Sequence, residues 1–258
     1  MDERRMTFGE HLNELRRRLI KALLAVAASV IVCMIFMQEI STFVIQGPHE
    51  QALGYLKEDY PDLKFTLIAE SYQAPFMAYF KLSLIVAFFL ASPVIGWQGW
   101  RFIGAGLYSN ERRWILFFAP FSLGLFVGGC VFGFTVMIPI ALAFLAQISN
   151  PAAVAPLFSV SEYLSLVIML TLVMGGVFQL PLLMVFFAKI GLASARGYLR
   201  YWRFAIVGIF IVAAVLTPPD PMSQILMAVP MLFLYFLGVA VSALVGPKKP
   251  RQAPPQGA

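Results

Sequence analysis

Uninterrupted runs of apolar side chains recur along the sequence, the first beginning near Leu19 and the last ending near Val245. Roughly 18 such residues are what a helix needs to cross a bilayer. The hydrocarbon offers backbone groups no partner, so only a structure that satisfies them internally can span it. The chain is 60% hydrophobic and only 12% charged, about half the charge of a soluble domain. An all-α, polytopic membrane protein follows, and 258 residues leave room for one bundle without a separate soluble module.

Six spans are expected, at about 19–40, 75–95, 114–148, 163–188, 204–216 and 222–245. Residues 1–18 read as an amphipathic helix on the membrane surface that turns into the first span. Residues 246–258 read as a tail. A polar insert at 46–73 separates the first two spans, and a loop without basic residues at 149–161 separates the third and fourth. Thr217-Pro218-Pro219-Asp220-Pro221 is a tight turn that continues neither flanking helix.

Basic residues cluster on one side of this layout. The N-terminal segment, the second-to-third loop, the fourth-to-fifth loop and the tail hold 16 of the 19, leaving Lys57, Lys64 and Lys81 toward the other side. The positive-inside rule then puts both termini in the cytoplasm. The fifth span is short: its 13 residues make about 20 Å of helix against a hydrocarbon core of about 30 Å. Either the bilayer thins there, with Trp202 and Arg203 at its edge, or the helix is buried among its neighbours. Pro93, Pro120, Pro139, Pro181 and Pro230 fall inside spans and bend them, so the expected bundle is a curved, cup-like wall. Gly124, Gly128, Gly129 and Gly133 set two overlapping G-x-x-x-G spacings, which favour close helix packing within the chain over dimerisation.

A net charge of +6 would suggest nucleic acid in a soluble protein. Here the bases flank apolar runs and serve topology and headgroup contact. The sequence has neither G-x-x-x-x-G-K-[ST] nor H-E-x-x-H. His11 and His49 fall on opposite sides, while Cys33 and Cys130 sit in apolar runs and read as packing residues. The expectation is no enzyme activity, no cofactor, no metal and no nucleic-acid partner.

Two acids stand among bases on the cytoplasmic side. In the N-terminal stretch Phe8, Leu12, Leu15 and Leu19 recur at helical spacing, and Glu14 faces Arg17 and Arg18 at i+3 and i+4. Taken alone, that is a surface ion pair worth a few tenths of a kcal/mol. In Leu107-Tyr108-Ser109-Asn110-Glu111-Arg112-Arg113, Asn110 or Ser109 can cap the third span and Glu111 can favour its dipole.

The ordered set H-L-x-E-L-R-x-R-L before the first span, L-Y-x-x-E-R-R before the third and L-T-P-P-D between the fifth and sixth resembles the TatC family, the core membrane subunit of the twin-arginine protein translocase. Pro75 to Leu82, Ala91 to Ile95 and Glu162-Tyr163-Leu164-Ser165 add to the resemblance, which covers nearly the whole chain. It implies a receptor for signal peptides with a consecutive arginine pair on folded cargo. It also implies single-span partners of the TatA and TatB type, a homo-oligomeric receptor complex, transport driven by the proton gradient and a place in the cytoplasmic (inner) membrane. The family's peptide-binding acids correspond to Glu14 and Glu111, flanked by Arg16 and Arg112, with Arg16 placed to orient Glu14. Carboxylates suit this role, because a guanidinium binds them through two parallel hydrogen bonds.

The chain departs from the family at Gln179, before Leu180-Pro181, where a glutamate is common. The amide can serve as a polar or partner-binding site in the membrane but cannot carry a proton. Pro48, Pro218, Pro219 and Asp220 match family positions and read as structural. The competing function is a small-molecule or ion transporter, which calls for paired charges near the midplane.

Overall fold

Nothing between Glu10 and Ile35 breaks a helix, since the stretch has no proline or glycine. In the computed structural model it forms one unbroken helix, α1 (Phe8–Ile35). The structure describes residues 8–56, 66–105, 112–148, 157–217 and 221–245. The 28 residues of α1 make about 42 Å, longer than the hydrocarbon core. The surface segment and first span expected as two pieces are therefore one helix with no turn between them. Leu23, Leu24, Ile31 and Ile35 are exposed along it, as suits side chains whose solvent is lipid.

The chain divides into two compact units, Met1–Phe178 and Gln179–Ala258. In the first unit, α2 (Met37–Leu56) takes in the end of the expected first span and the first part of the polar insert, residues 46–56. Strand β1 (Thr66–Ile68) follows, then α3 (Ala74–Ala105). The next helix is α4 (Arg112–Phe132), continued by a π-helical turn, Gly133–Met137, and α5 (Ile138–Ile148). Pro139 has no N–H to offer the Thr135 carbonyl. At this point the ladder widens, and the Ile138 N–H bonds to the Gly133 carbonyl, five residues back. Strand β2 (Leu157–Ser159) pairs in parallel with β1, Leu67 opposite Phe158, and α6 (Val160–Val177) closes the unit. Helix α1 packs on α3, α2 on α5, and α4 between α3 and α6.

The glycine spacing divides by face. A Cβ on Gly129 would lie 2.5 Å from the Met174 carbonyl oxygen, and one on Gly133 would lie 3.1 Å from that of Leu170, whereas Gly124 and Gly128 have nothing within 4 Å. Gly129 and Gly133 thus bring α4 and the π turn against α6.

In the second unit, α7 (Leu180–Lys189) starts with Pro181 in its first turn, where a missing N–H costs nothing. It stops at Gly191, whose φ of 80° is left-handed, and the Leu192 N–H returns to the Phe187 carbonyl at 3.0 Å. Ser194 caps the short α8 (Ala195–Arg200) by accepting from the Gly197 N–H. Helices α9 (Trp202–Leu216) and α10 (Pro221–Val245) follow, and α10 packs on both α7 and α9. Gly238 lets α10 approach Pro181 and Met184. The Tyr198 hydroxyl donates to the Met184 carbonyl at 3.1 Å and the Tyr235 hydroxyl to the Tyr198 carbonyl at 2.8 Å. Burial, and next the Tyr235 phenol, push the Tyr198 pKa up.

Among the described residues, five helical stretches are long and apolar enough to cross a membrane: Gly9–Ile35, Ala74–Gly104, Phe118–Gln147, Val160–Lys189 and Gln224–Val245. The helix at the expected fifth span, α9, has 15 residues, about 22 Å, and is shorter than the other five.

Candidate functional site

The helical spacing of α1 places Glu14 and Arg18 one turn apart, and the two form an ion pair through Oε1 and Nη2. Their side chains are 26% and 12% exposed, so the pair is largely withdrawn into the protein. Two contacts with α3 hold this part of α1. Arg18 Nη1 donates to Gln98 Oε1 at 3.4 Å, and one turn before Glu14 the His11 ring stacks on Phe102 with centroids 4.5 Å apart. Glu14 lies between these contacts, on the side of α1 that meets α3. Arg16 and Arg17 are exposed. The guanidinium against Glu14 is that of Arg18; the Arg16 side chain points to the surroundings.

A second feature of the first unit lies in α2. Pro48 is fully buried and cannot donate to the carbonyl of Val44, four residues earlier. The Tyr163 hydroxyl supplies the missing donor, 3.1 Å from the Val44 carbonyl and 3.2 Å from that of Ile45. Beside it is an apolar cavity of about 700 Å³, walled by Phe43, Val86, Phe89 and Phe134 among others, with Glu39 at its lining. The Thr171 hydroxyl in its wall is satisfied by the Val167 carbonyl at 2.7 Å.

The family model for the Sec-independent protein translocase protein TatC matches residues 10–230. Proteins of that name from Koribacter versatilis and Helicobacter pylori are 39% and 38% identical to this chain, over 96% and 92% of its length and 89% of theirs in each case. The chain belongs to the TatC family. A crystal structure titled as the twin arginine translocase receptor TatC superposes with a TM-score of 0.77 at 31% identity, covering 92% of this chain and 99% of that one. The polytopic helical fold of TatC and its function in Sec-independent protein transport are therefore those of this chain.

Of the TatC site residues expected from sequence, the structure places Glu14 in the α1–α3 contact. Glu111 lies outside the described residues, and Arg112 opens α4. Gln179 is half-buried and directly precedes α7, its backbone carbonyl accepting from the Leu183 N–H at 2.9 Å. Pro48 is where α2 needs an outside donor. Pro218, Pro219 and Asp220 lie outside the described residues. Sequence reasoning singled out neither Gln98 nor His11 with Phe102 as neighbours of the acid. The i+4 spacing did point to Arg18, whereas no local pattern ties Gln98 to a residue 80 positions away.

Proposed function

We propose that this chain is the signal-peptide receptor and core subunit of a twin-arginine translocase. It receives the paired arginines of an exported protein's signal peptide at Glu14 and Glu111, with Arg16 and Arg112 shaping the field around the two acids. Family membership and the likeness to a solved structure titled as the translocase receptor support this reading. The observation that carries it is Glu14, a part-exposed carboxylate on α1 already engaged by an arginine side chain. The site therefore has the chemistry that a guanidinium requires.

In this reading the chain sits in the cytoplasmic membrane with both termini on the cytoplasmic side. It forms homo-oligomers within a receptor complex, works with TatA- and TatB-type single-span partners and draws on the proton gradient. In this reading Gln179 is a polar position within the membrane that such partners recognise.

Each charge-assisted contact contributes about 1.5–3 kcal/mol, so two acids separate a signal with an arginine pair from one without it by about 10²- to 10⁴-fold. Photo-crosslinking of an arginine-pair signal peptide to membranes holding Glu14→Ala with Glu111→Ala tests the role. The crosslink should disappear while the protein remains inserted; an undiminished crosslink refutes it.

A further inference from the structure

We propose that the cavity of the first unit is a phospholipid site: it holds one acyl chain, and the Glu39 carboxylate at its mouth takes the ammonium of the headgroup.

The cavity, about 700 Å³, is walled by α2, α3, α4 with its π turn, and α6, all within one compact unit. Leu82, Ile85, Val86 and Phe89 turn one face of α3 toward it, at the spacing of a helical stripe. The Phe43 ring of α2 stacks on Phe134 of the π turn, with centroids 5.7 Å apart and planes 12° apart. Glu39, Phe43 and Val131 are exposed, so the cavity opens beside them.

The chemistry of the wall decides what fits. Four lining side chains carry an oxygen: Glu39, Gln51, Thr135 and Thr171. The two threonine hydroxyls donate to the Val131 and Val167 carbonyls of their own helices, at 2.8 and 2.7 Å. Glu39 and Gln51 are exposed and stand at the two ends of the α2 stripe. An extended peptide would bring backbone N–H and C=O groups against a wall that cannot pair them. A peptide helix pairs its own backbone but is too thick, since three turns about 10 Å across and 16 Å long occupy about 1,300 Å³. An acyl chain has no polar group to satisfy, and it is slender enough to make the close contacts that an unfilled space would forfeit.

Glu39 chooses the headgroup. Among the described residues no ion pair or side-chain hydrogen bond engages its carboxylate. An acid beside hydrocarbon calls for a cation. The primary ammonium of phosphatidylethanolamine supplies the charge together with N–H donors. Phosphatidylglycerol brings no cation, and its phosphate is repelled.

The test uses the full chain in nanodiscs of both lipids, with a photoreactive diazirine placed on the same acyl chain of one lipid or the other. Adducts are mapped by mass spectrometry. Those at Phe89, Phe134 and Ile168 report the cavity, while those at the exposed Leu24 and Ile31 of α1 report lipid that merely surrounds the protein. Phosphatidylethanolamine should be enriched over phosphatidylglycerol in the cavity relative to α1. Glu39→Ala should lower that enrichment about two- to fivefold, the strength of an exposed ion pair. Val86→Trp, which fills the space, should remove the cavity adducts and leave those on α1; Val131→Phe takes its place if that variant elutes aggregated. The same lipid ratio in the cavity as on α1, an enrichment indifferent to Glu39→Ala, or cavity adducts that survive the filling each overturn the proposal.

Discussion

Pro48 leaves the Val44 carbonyl without its helical donor, and the hydroxyl that fills the gap belongs to Tyr163, 119 positions along the chain. A buried acceptor without a partner costs about 1–3 kcal/mol, so Tyr163→Phe should lower stability by that amount in thermal unfolding of the detergent-solubilised protein. In a Pro48→Ala background an N–H returns to the helix, and Tyr163→Phe should then cost clearly less. Equal costs in the two backgrounds would break the link. Residue-scale legibility follows sequence distance. Glu14 and its pairing with Arg18 are readable because i,i+4 neighbours must meet on a helix. The proline is readable as an interruption. The tyrosine that answers it, and the Gln98 that reaches Arg18, leave no local trace.

The glycine spacings of α4 behave the same way at the scale of elements. Four glycines announce close packing, but only the structure shows that Gly129 and Gly133 face α6 while Gly124 and Gly128 face open space. Gly129→Ala must push its new methyl into the Met174 backbone and should cost about 1–3 kcal/mol. Gly128→Ala should be neutral or stabilising, since alanine is the better helix former. Thermal unfolding of the two variants side by side checks this, and equal losses would contradict the packing. Apolar periodicity gave away the long helices. It did not show α2, whose sequence is too polar to resemble a span, nor β1 and β2, three residues each and paired across about ninety intervening positions. Nor did it show that the amphipathic start and first span form one helix, because amphipathicity signals a surface without signalling a bend.

At the scale of the whole chain, α9 decides the topology. Among the described residues five stretches are long enough to cross unaided, and an odd number of crossings would put the termini on opposite sides. If those five cross, the 15-residue α9 must cross as well for both termini to share a side. Its opening supports an interfacial position: the Arg203 guanidinium lies 5.9 Å above the Trp202 ring, the pairing of aromatic and base favoured at headgroup level. In a Cys33→Ala, Cys130→Ala background, Arg17→Cys and Lys249→Cys should both react with a membrane-impermeant maleimide from the same side. Labelling from opposite sides would show that α9 does not traverse the bilayer. Hydropathy made the number of apolar segments legible, but a short one stands for a crossing or a buried stub equally well.

The π turn before Pro139 also determines where this helix tolerates a change of length. A wide turn stores one residue more than α geometry would hold. Deleting Val136 takes the extra residue out of that turn, so the arms on either side keep their mutual orientation more nearly than after a deletion elsewhere, although the proline still withholds its donor. The same deletion elsewhere between Arg112 and Ile148 would swing everything after it by about 100°, taking the small residues that meet α6 out of phase with the rest.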